Sequence, residues 1–262
     1  MPVDGTEHPA RGFDDDGFER LARPVPEDLV AVTVAALVEL TADRSARRRA
    51  GVSRHTGASG LTRLVLPRPV PAVLTLAATS GLRDQVEGTG ALDAPVIWGA
   101  EVLTKPGAGP GAPIGWHQDR PYFHWWSGPT ATLWVALTEM VPDCGAVRYV
   151  VGSHRWGDRF GTSDFDRTPE ETRAVGPPPG ETWTEAEVLG PPGTAVLHHP
   201  ATIHGSGPNQ TGRARLALAL RLRSATTVLR EDTPSAVRRV LGAEAADAWA
   251  QRPSRTARLQ LP

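Results

Sequence analysis

The tetrapeptide Trp116-His117-Gln118-Asp119 has the clearest chemical content in this chain. Residues i and i+2 of a strand share a face, so a strand edge across Ile114–Asp119 projects His117 and Asp119 together. An imidazole nitrogen and a carboxylate oxygen form most of the 2-His-1-carboxylate set, which holds Fe(II) and leaves adjacent coordination positions open. An H-x-D pair alone is a short pattern, equally at home as a hydrogen-bonded pair at a strand end. A metal reading needs a third ligand, and the downstream histidines are His124, His154, His198, His199 and His204. His204 differs by its setting, since Ile203-His-Gly-Ser-Gly-Pro-Asn209 surrounds it with small residues that admit close backbone approach. His198 and His199 precede Pro200 and lack that setting, so they read as structural, and His154 in Gly-Ser-His-Arg reads as a packing residue. Beyond His204, Arg213-Ala-Arg215 leads into an alternating Leu-Ala run. A guanidinium at the head of such a strand can hold a carboxylate through paired, charge-assisted hydrogen bonds. A metal triad beside such a clamp suits a chelating 2-oxo acid.

These residues need elements to position them. Pro26 and Glu27 open a helical pattern with Leu29, Val30, Val34, Leu37 and Val38 on one side, and a second helix is expected over Ala72–Val86 after the proline-rich Pro67–Pro71. Arg44–Arg54 reads as a solvated loop. Strands are expected over Val96–Leu103, Ile114–Asp119, Thr130–Leu137, Ala146–Val151, Thr194–His199 and Ala214–Leu222, with a Gly/Pro loop at Lys105–Pro113 and a turn at Asp143-Cys-Gly145. Lys105 reads as a solvated loop residue. The long polar stretch Arg155–Glu187 has the character of a lid. Helices followed by many short strands predict a mainly β domain with flanking helices, packed as a sandwich or barrel. A single domain is expected over 1–262: a frayed 1–12, helical support over about 13–95, the β core over about 96–224 and a helical extension over 225–262.

Composition narrows the partners. The formal net charge of −1 gives no global field toward nucleic acid or an acidic membrane, so a small-molecule substrate and a monomer or small homo-oligomer are expected. Cys144 is the single cysteine, which excludes an intrachain disulfide. No basic segment followed by an apolar run marks Met1–Gly12, and a cytoplasmic location is the expectation. Lys105 is the only lysine among 28 basic residues, and with 25 prolines and 27 glycines this indicates GC-rich coding. No G-x-G-x-x-G or P-loop follows a strand, against a nucleotide-binding Rossmann fold.

The segment Lys105–Arg155 closely resembles the phytanoyl-CoA dioxygenase family of Fe(II)/2-oxoglutarate oxygenases. The matching pieces are Lys105-Pro106, WHQD (116–119), Pro121-Tyr-Phe123, LWVALTEM (133–140), Asp143-Cys-Gly145 and VVGSHR (150–155), with HGSGPNQTGRAR (204–215) downstream. The resemblance extends more loosely from Phe13 to Ser224. It implies a double-stranded β-helix (jelly-roll, cupin-like) core, with Fe(II), 2-oxoglutarate and O₂ as cofactor and co-substrates. It implies His117, Asp119 and His204 as metal ligands and Arg215, eleven residues after His204, as the 2-oxoglutarate clamp. Thr132 and Trp134 fall on the strand lining the co-substrate pocket, and Ser206 falls near it. Glu101 matches an inward-facing position where relatives often carry an uncharged residue. Phe123 and Trp125, after the H-x-D motif, are candidate walls of a substrate pocket. Asp119 stands where related halogenases have a small residue, which points to hydroxylation rather than halogenation. Epimerisation, cyclisation and desaturation share the same beginning, and the style of the sequence suggests bacterial secondary metabolism. The rival readings are a barrel metalloenzyme working without 2-oxoglutarate and a non-enzymatic ligand-binding barrel.

Overall fold

Along Arg215–Arg223, Leu218, Leu220 and Leu222 point to one face and Arg215, Ala217, Ala219 and Arg221 to the other. That alternation is the plan of the molecule, with an apolar face for helices and a face of small and charged residues for a cavity. The computed structural model describes residues 11–66, 70–160 and 167–242. Its first elements are α1 (Phe13–Asp16), β1 (Phe18–Arg20), α2 (Glu27–Ala42), α3 (Arg44–Arg49), β2 (Ser53–Thr56), β3 (Thr62–Leu66), α4 (Pro71–Thr79) and α5 (Leu82–Gly88). Then come β4 (Val96–Lys105), β5 (Ile114–His117), α6 (Arg120–Phe123), β6 (Trp126–Ser127), β7 (Thr130–Ala136), β8 (Arg148–Val150) and a 3₁₀ turn at Ser153–Arg155. The rest are α7 (Pro169–Arg173), β9 (Glu185–Glu187), β10 (Ala195–His198), β11 (His204–Ser206), β12 (Arg215–Arg223), β13 (Val228–Leu229) and α8 (Ser235–Gly242).

A seven-stranded sheet runs β1-β10-β7-β12-β4-β3-β2, and a four-stranded sheet β5-β11-β8-β9 faces it. All the pairings are antiparallel. This is the expected mainly β architecture of the double-stranded β-helix. Helices α2, α4 and α5 cover the outer face of the large sheet, where Leu37, Val73, Leu76, Leu82 and Val86 pack against Leu66, Leu133, Leu197, Leu218 and Leu220. Burying each such leucine contributes about 1.5–3 kcal/mol. Between the sheets a second cluster contains Phe18, Trp134, Met140, Tyr149, Val196 and Ala217.

Several local expectations change. Arg44–Arg54 is not a loop. Asp43 caps α3 by accepting from the Ser45 and Ala46 amides, and β2 then pairs with β3. The helix expected over Ala72–Val86 is two helices, broken where Gly81 takes φ 72°. The stretch read as helical support also contributes β1, β2 and β3 to the large sheet. Within the Arg155–Glu187 stretch, α7 packs on β5 and β9 on β8, so the described part buttresses the small sheet. The 1–12 and 225–262 expectations fall largely outside the described residues, with β13 and α8 present in the latter. Among the described residues no helix is long and apolar enough to cross a membrane.

Candidate active site

His117 closes β5 and His204 opens β11, and the two are direct partners in the ladder. Strand pairing therefore sets the imidazoles side by side, with ring centroids 4.1 Å apart. Each Nδ1 faces a backbone carbonyl two residues back, Gly115 O at 2.8 Å and Thr202 O at 2.9 Å. Donation by Nδ1–H to those carbonyls makes Nε2 the unprotonated, ligating nitrogen of each ring. Burial lowers the pKa of both imidazoles, His204 most strongly, which keeps the neutral, ligating form. Asp119 reaches the pair by a route that strand alternation does not describe. The strand ends at His117, and Asp119 sits at φ −76° and ψ −19° as the N-cap of α6. Its Oδ1 lies 4.0 Å from His117 Nε2 and 3.8 Å from His204 Nε2. One ligand atom from each of the three residues lies within 4.8 Å of the others, a spacing suited to one metal ion.

The other carboxylate oxygen is held by the large sheet. Thr132 Oγ1 donates to Asp119 Oδ2 at 2.7 Å, and His198 Nε2 lies 3.2 Å from the same atom. Thr132 and His198 are cross-strand partners, so one row of the ladder supplies both. Tyr149 Oη sits 3.0 Å from His198 Nδ1. Burial and the nearby Asp119 charge raise the Tyr149 pKa well above its usual value, so the phenol stays protonated and donates, which orients the His198 Nε2–H toward Asp119. Burial alone would raise the Asp119 pKa, but the His198 hydrogen bond and the three neighbouring imidazoles outweigh it and hold the carboxyl well below its ordinary range. His198, read from sequence as structural, is a wall of the site. His154 is, as read, a packing residue, with Nε2 3.1 Å from Asp14 O.

Further along stand two buried basic residues. Lys105 is not solvated. It ends β4 fully buried, opposite Arg215 in the ladder, and its Nζ donates to Ser206 O and Gly207 O. Burial, with the Arg215 charge beside it, lowers its pKa from 10.5 to about 6. Arg215 donates through Nη2 to Gly145 O at 2.6 Å, while its buried Nε and Nη1 have no partner among the described residues. Burial brings the Arg215 pKa down to about 10. The buried Arg215 charge, with no carboxylate partner among the described residues, calls for an anion, and Lys105 next to it can take up a proton to add a second charge when one binds. The carboxylate of a 2-oxo diacid fits that chemistry.

The three candidate ligands, His198 and Arg215 line one pocket with a cavity volume of about 60 Å³, together with Glu101, Thr132, Trp134, Ser206 and Arg221. Arg213 is exposed, so Arg215 alone of the two arginines reaches it. Glu101 is the partner of two arginines, Arg63 Nε on one oxygen and Arg221 Nη2 at 3.1 Å on the other. Phe123 and Trp125 do not line this pocket. Phe123 is buried against Trp98 at 5.1 Å and lines a neighbouring cleft, and half-buried Trp125 lies on His124 at 3.9 Å. The residues missed from sequence are Lys105, His198, Arg221, Arg63 and Tyr149. Period-2 counting from Glu101 through Leu103 reaches Lys105, and the same counting from Arg215 reaches Arg221.

Residues 13–217 match the sequence profile of the phytanoyl-CoA dioxygenase (PhyH) family. A probable alpha-ketoglutarate-dependent hypophosphite dioxygenase of Stutzerimonas stutzeri is 36% identical over 108 residues, 38% of this chain and 36% of that protein. This match spans only about a third of the relative's length. Among solved structures, the non-heme alpha ketoglutarate dependent epimerase SnoN from nogalamycin biosynthesis superposes with a TM-score of 0.65 at 22% identity, over 85% of this chain and 87% of that one. EctD from S. alaskensis, solved with 2-oxoglutarate and 5-hydroxyectoine, gives 0.64 at 24% identity over 88% and 81%. At these identities the structural likeness is one of fold. With its profile match covering most of the chain, the protein belongs to the phytanoyl-CoA dioxygenase family.

Proposed function

We propose that this protein uses Fe(II), 2-oxoglutarate and O₂ to hydroxylate a small organic molecule. The observation that carries the reading is the pairing of a convergent His117, Asp119 and His204 set with Arg215, whose buried Nε and Nη1 have no partner among the described residues, in one pocket, with Lys105 next to Arg215 in the ladder. His117 and His204 offer Nε2 and Asp119 offers Oδ1 to the metal. Thr132 and His198 bond Asp119 Oδ2 and so keep the other oxygen turned toward the imidazoles. Arg215 presents Nε and Nη1 to the distal carboxylate of 2-oxoglutarate, and Lys105 adds its charge alongside. Trp134, with the Arg215 guanidinium 5.6 Å from its ring centroid, walls that end and excludes water. Iron and 2-oxoglutarate, when bound, supply the activation of O₂ needed to oxidise an unreactive C–H bond, with succinate and CO₂ as co-products. The protein's part is geometry, charge and exclusion of water.

Asp119 fills the carboxylate position, which supports hydroxylation over halogenation. A role in bacterial secondary metabolism is consistent with the fold likeness to a nogalamycin biosynthesis enzyme. The test is succinate release from 2-oxoglutarate across a panel of small molecules, with and without Fe(II). Iron-dependent release in wild type and its loss in His204→Ala support the proposal. Release unchanged in His204→Ala would rule the site out, and no release with any candidate would favour a non-catalytic binding barrel.

A further inference from the structure

Each end of this pocket carries an arginine, and 2-oxoglutarate accounts for only one of them. Arg221 lies six residues beyond Arg215 on the same face of β12, about 20 Å along the strand. Its neighbours make room for it. Gly99 is opposite in the ladder with no side chain, and Ala219 precedes it on the same face. The guanidinium lies 5.7 Å from the Trp98 ring centroid and 5.9 Å from that of Tyr122, two aromatic walls that fix its plane. Glu101 is bonded by Arg63 and Arg221 together, which holds the Arg221 guanidinium at the pocket wall. Arg221 spends one N–H on Glu101 and remains partly exposed on the pocket wall, with further donors available. Arg221 is also the ladder partner of Thr132, whose hydroxyl bonds Asp119. The Arg221 and Thr132 backbones are thus about one strand spacing, roughly 5 Å, apart.

Resting on the assignment of Lys105 and Arg215 to the co-substrate, we propose that Arg221, braced by Glu101 and Arg63, binds an oxyanion of the primary substrate. The substrate is then a short molecule bearing a carboxylate or phosphorus oxyanion within a few bonds of the position oxidised. A planar guanidinium matches either group with two parallel hydrogen bonds. Glu101 acts as a positioning residue that holds the two guanidiniums in place, which explains an acid at a position where a neutral residue would serve a purely apolar pocket.

The experiment is calorimetric titration of methylphosphonate and of acetate into the protein loaded with Mn(II) and 2-oxoglutarate. Wild type is expected to bind at least one probe, and the arm that binds tells phosphonate from carboxylate. Arg221→Gln is expected to weaken that binding about ten- to hundredfold, the worth of a charge-assisted hydrogen bond. Arg221→Lys keeps the charge and the Glu101 partner, so it folds as wild type and loses less. The 2-oxoglutarate affinity is expected to stay within about twofold in both variants, since that end of the pocket is untouched. Neither probe binding to wild type, or equal binding to Arg221→Gln, overturns the inference while 2-oxoglutarate uptake leaves the proposed function standing. Loss of 2-oxoglutarate binding in Arg221→Gln reverses the two ends of the pocket and overturns both.

Discussion

Replacing Arg215 with Met separates the requirements of binding from those of folding. Arg215 is 2% exposed, with Nη2 on Gly145 O at 2.6 Å and the Trp134 ring centroid 5.6 Å from its guanidinium carbon. Its Nε and Nη1 are buried with no partner among the described residues. Each unsatisfied donor costs about 1–3 kcal/mol, so Met relieves about 2–6 kcal/mol. Against this stand the lost Gly145 bond, about 1.5–3 kcal/mol, and the lost contact with Trp134, about 0.5–2 kcal/mol. The two sides nearly cancel, and the ligand-free variant is expected to melt within a few degrees of wild type. With 2-oxoglutarate the balance is one-sided. Two charge-assisted hydrogen bonds, about 3–6 kcal/mol together, disappear, and Kd rises by about 10²- to 10⁴-fold. Calorimetric melting of the Mn(II)-loaded protein with and without 2-oxoglutarate reads both effects. Retention of 2-oxoglutarate affinity within about tenfold of wild type would refute the clamp. A ligand-free variant destabilised by more than about 3 kcal/mol would refute the unsatisfied-donor account.

Other perturbations give separate readouts. Lys105, with its pKa brought to about 6, is largely deprotonated in the free protein at neutral pH, and a bound dianion restores its proton. Affinity for 2-oxoglutarate should therefore fall as pH rises from about 6 to 8, while free-protein stability rises because the unfolded chain keeps the proton. Lys105→Met should flatten both profiles, and a flat wild-type affinity profile contradicts the assignment. His198→Ala removes one of two hydrogen bonds on Asp119 Oδ2 and should weaken metal binding about 10- to 100-fold in chelator competition, with equal affinity counting against a positioning role. Leu133→Ala, at a fully buried position under the helices, should cost about 2–5 kcal/mol in denaturant unfolding and leave the 2-oxoglutarate affinity of the folded protein unchanged.

The legible parts of the sequence were those where local pattern and tertiary demand agree. Thr130–Ala136 and Arg215–Arg223 declare themselves because β-branched or alternating residues suit a sheet with one face under helices. β1 has three residues and owes its place to pairing with β10, a long-range contact that no local pattern encodes. Lys105 was misread because the glycines and prolines after it signal a loop, yet the ladder with β12 extends one residue into that signal and buries it. Asp119 reached the right partners by a different conformation from the one that made it a candidate, a helix cap after the strand's end. His198 was discounted for lacking glycines around it. Its role follows from sharing a ladder row with Thr132, and register is settled by the whole sheet.

The central claim, that His117, Asp119 and His204 hold Fe(II) beside a 2-oxoglutarate bound by Arg215, is tested most directly by anaerobic titration of the folded protein with Fe(II) and 2-oxoglutarate. The account predicts a weak visible charge-transfer band that saturates at one equivalent of each in wild type and is absent in Asp119→Ala. A folded wild-type protein that develops no such band, or an Asp119→Ala variant that develops it unchanged, would contradict the account.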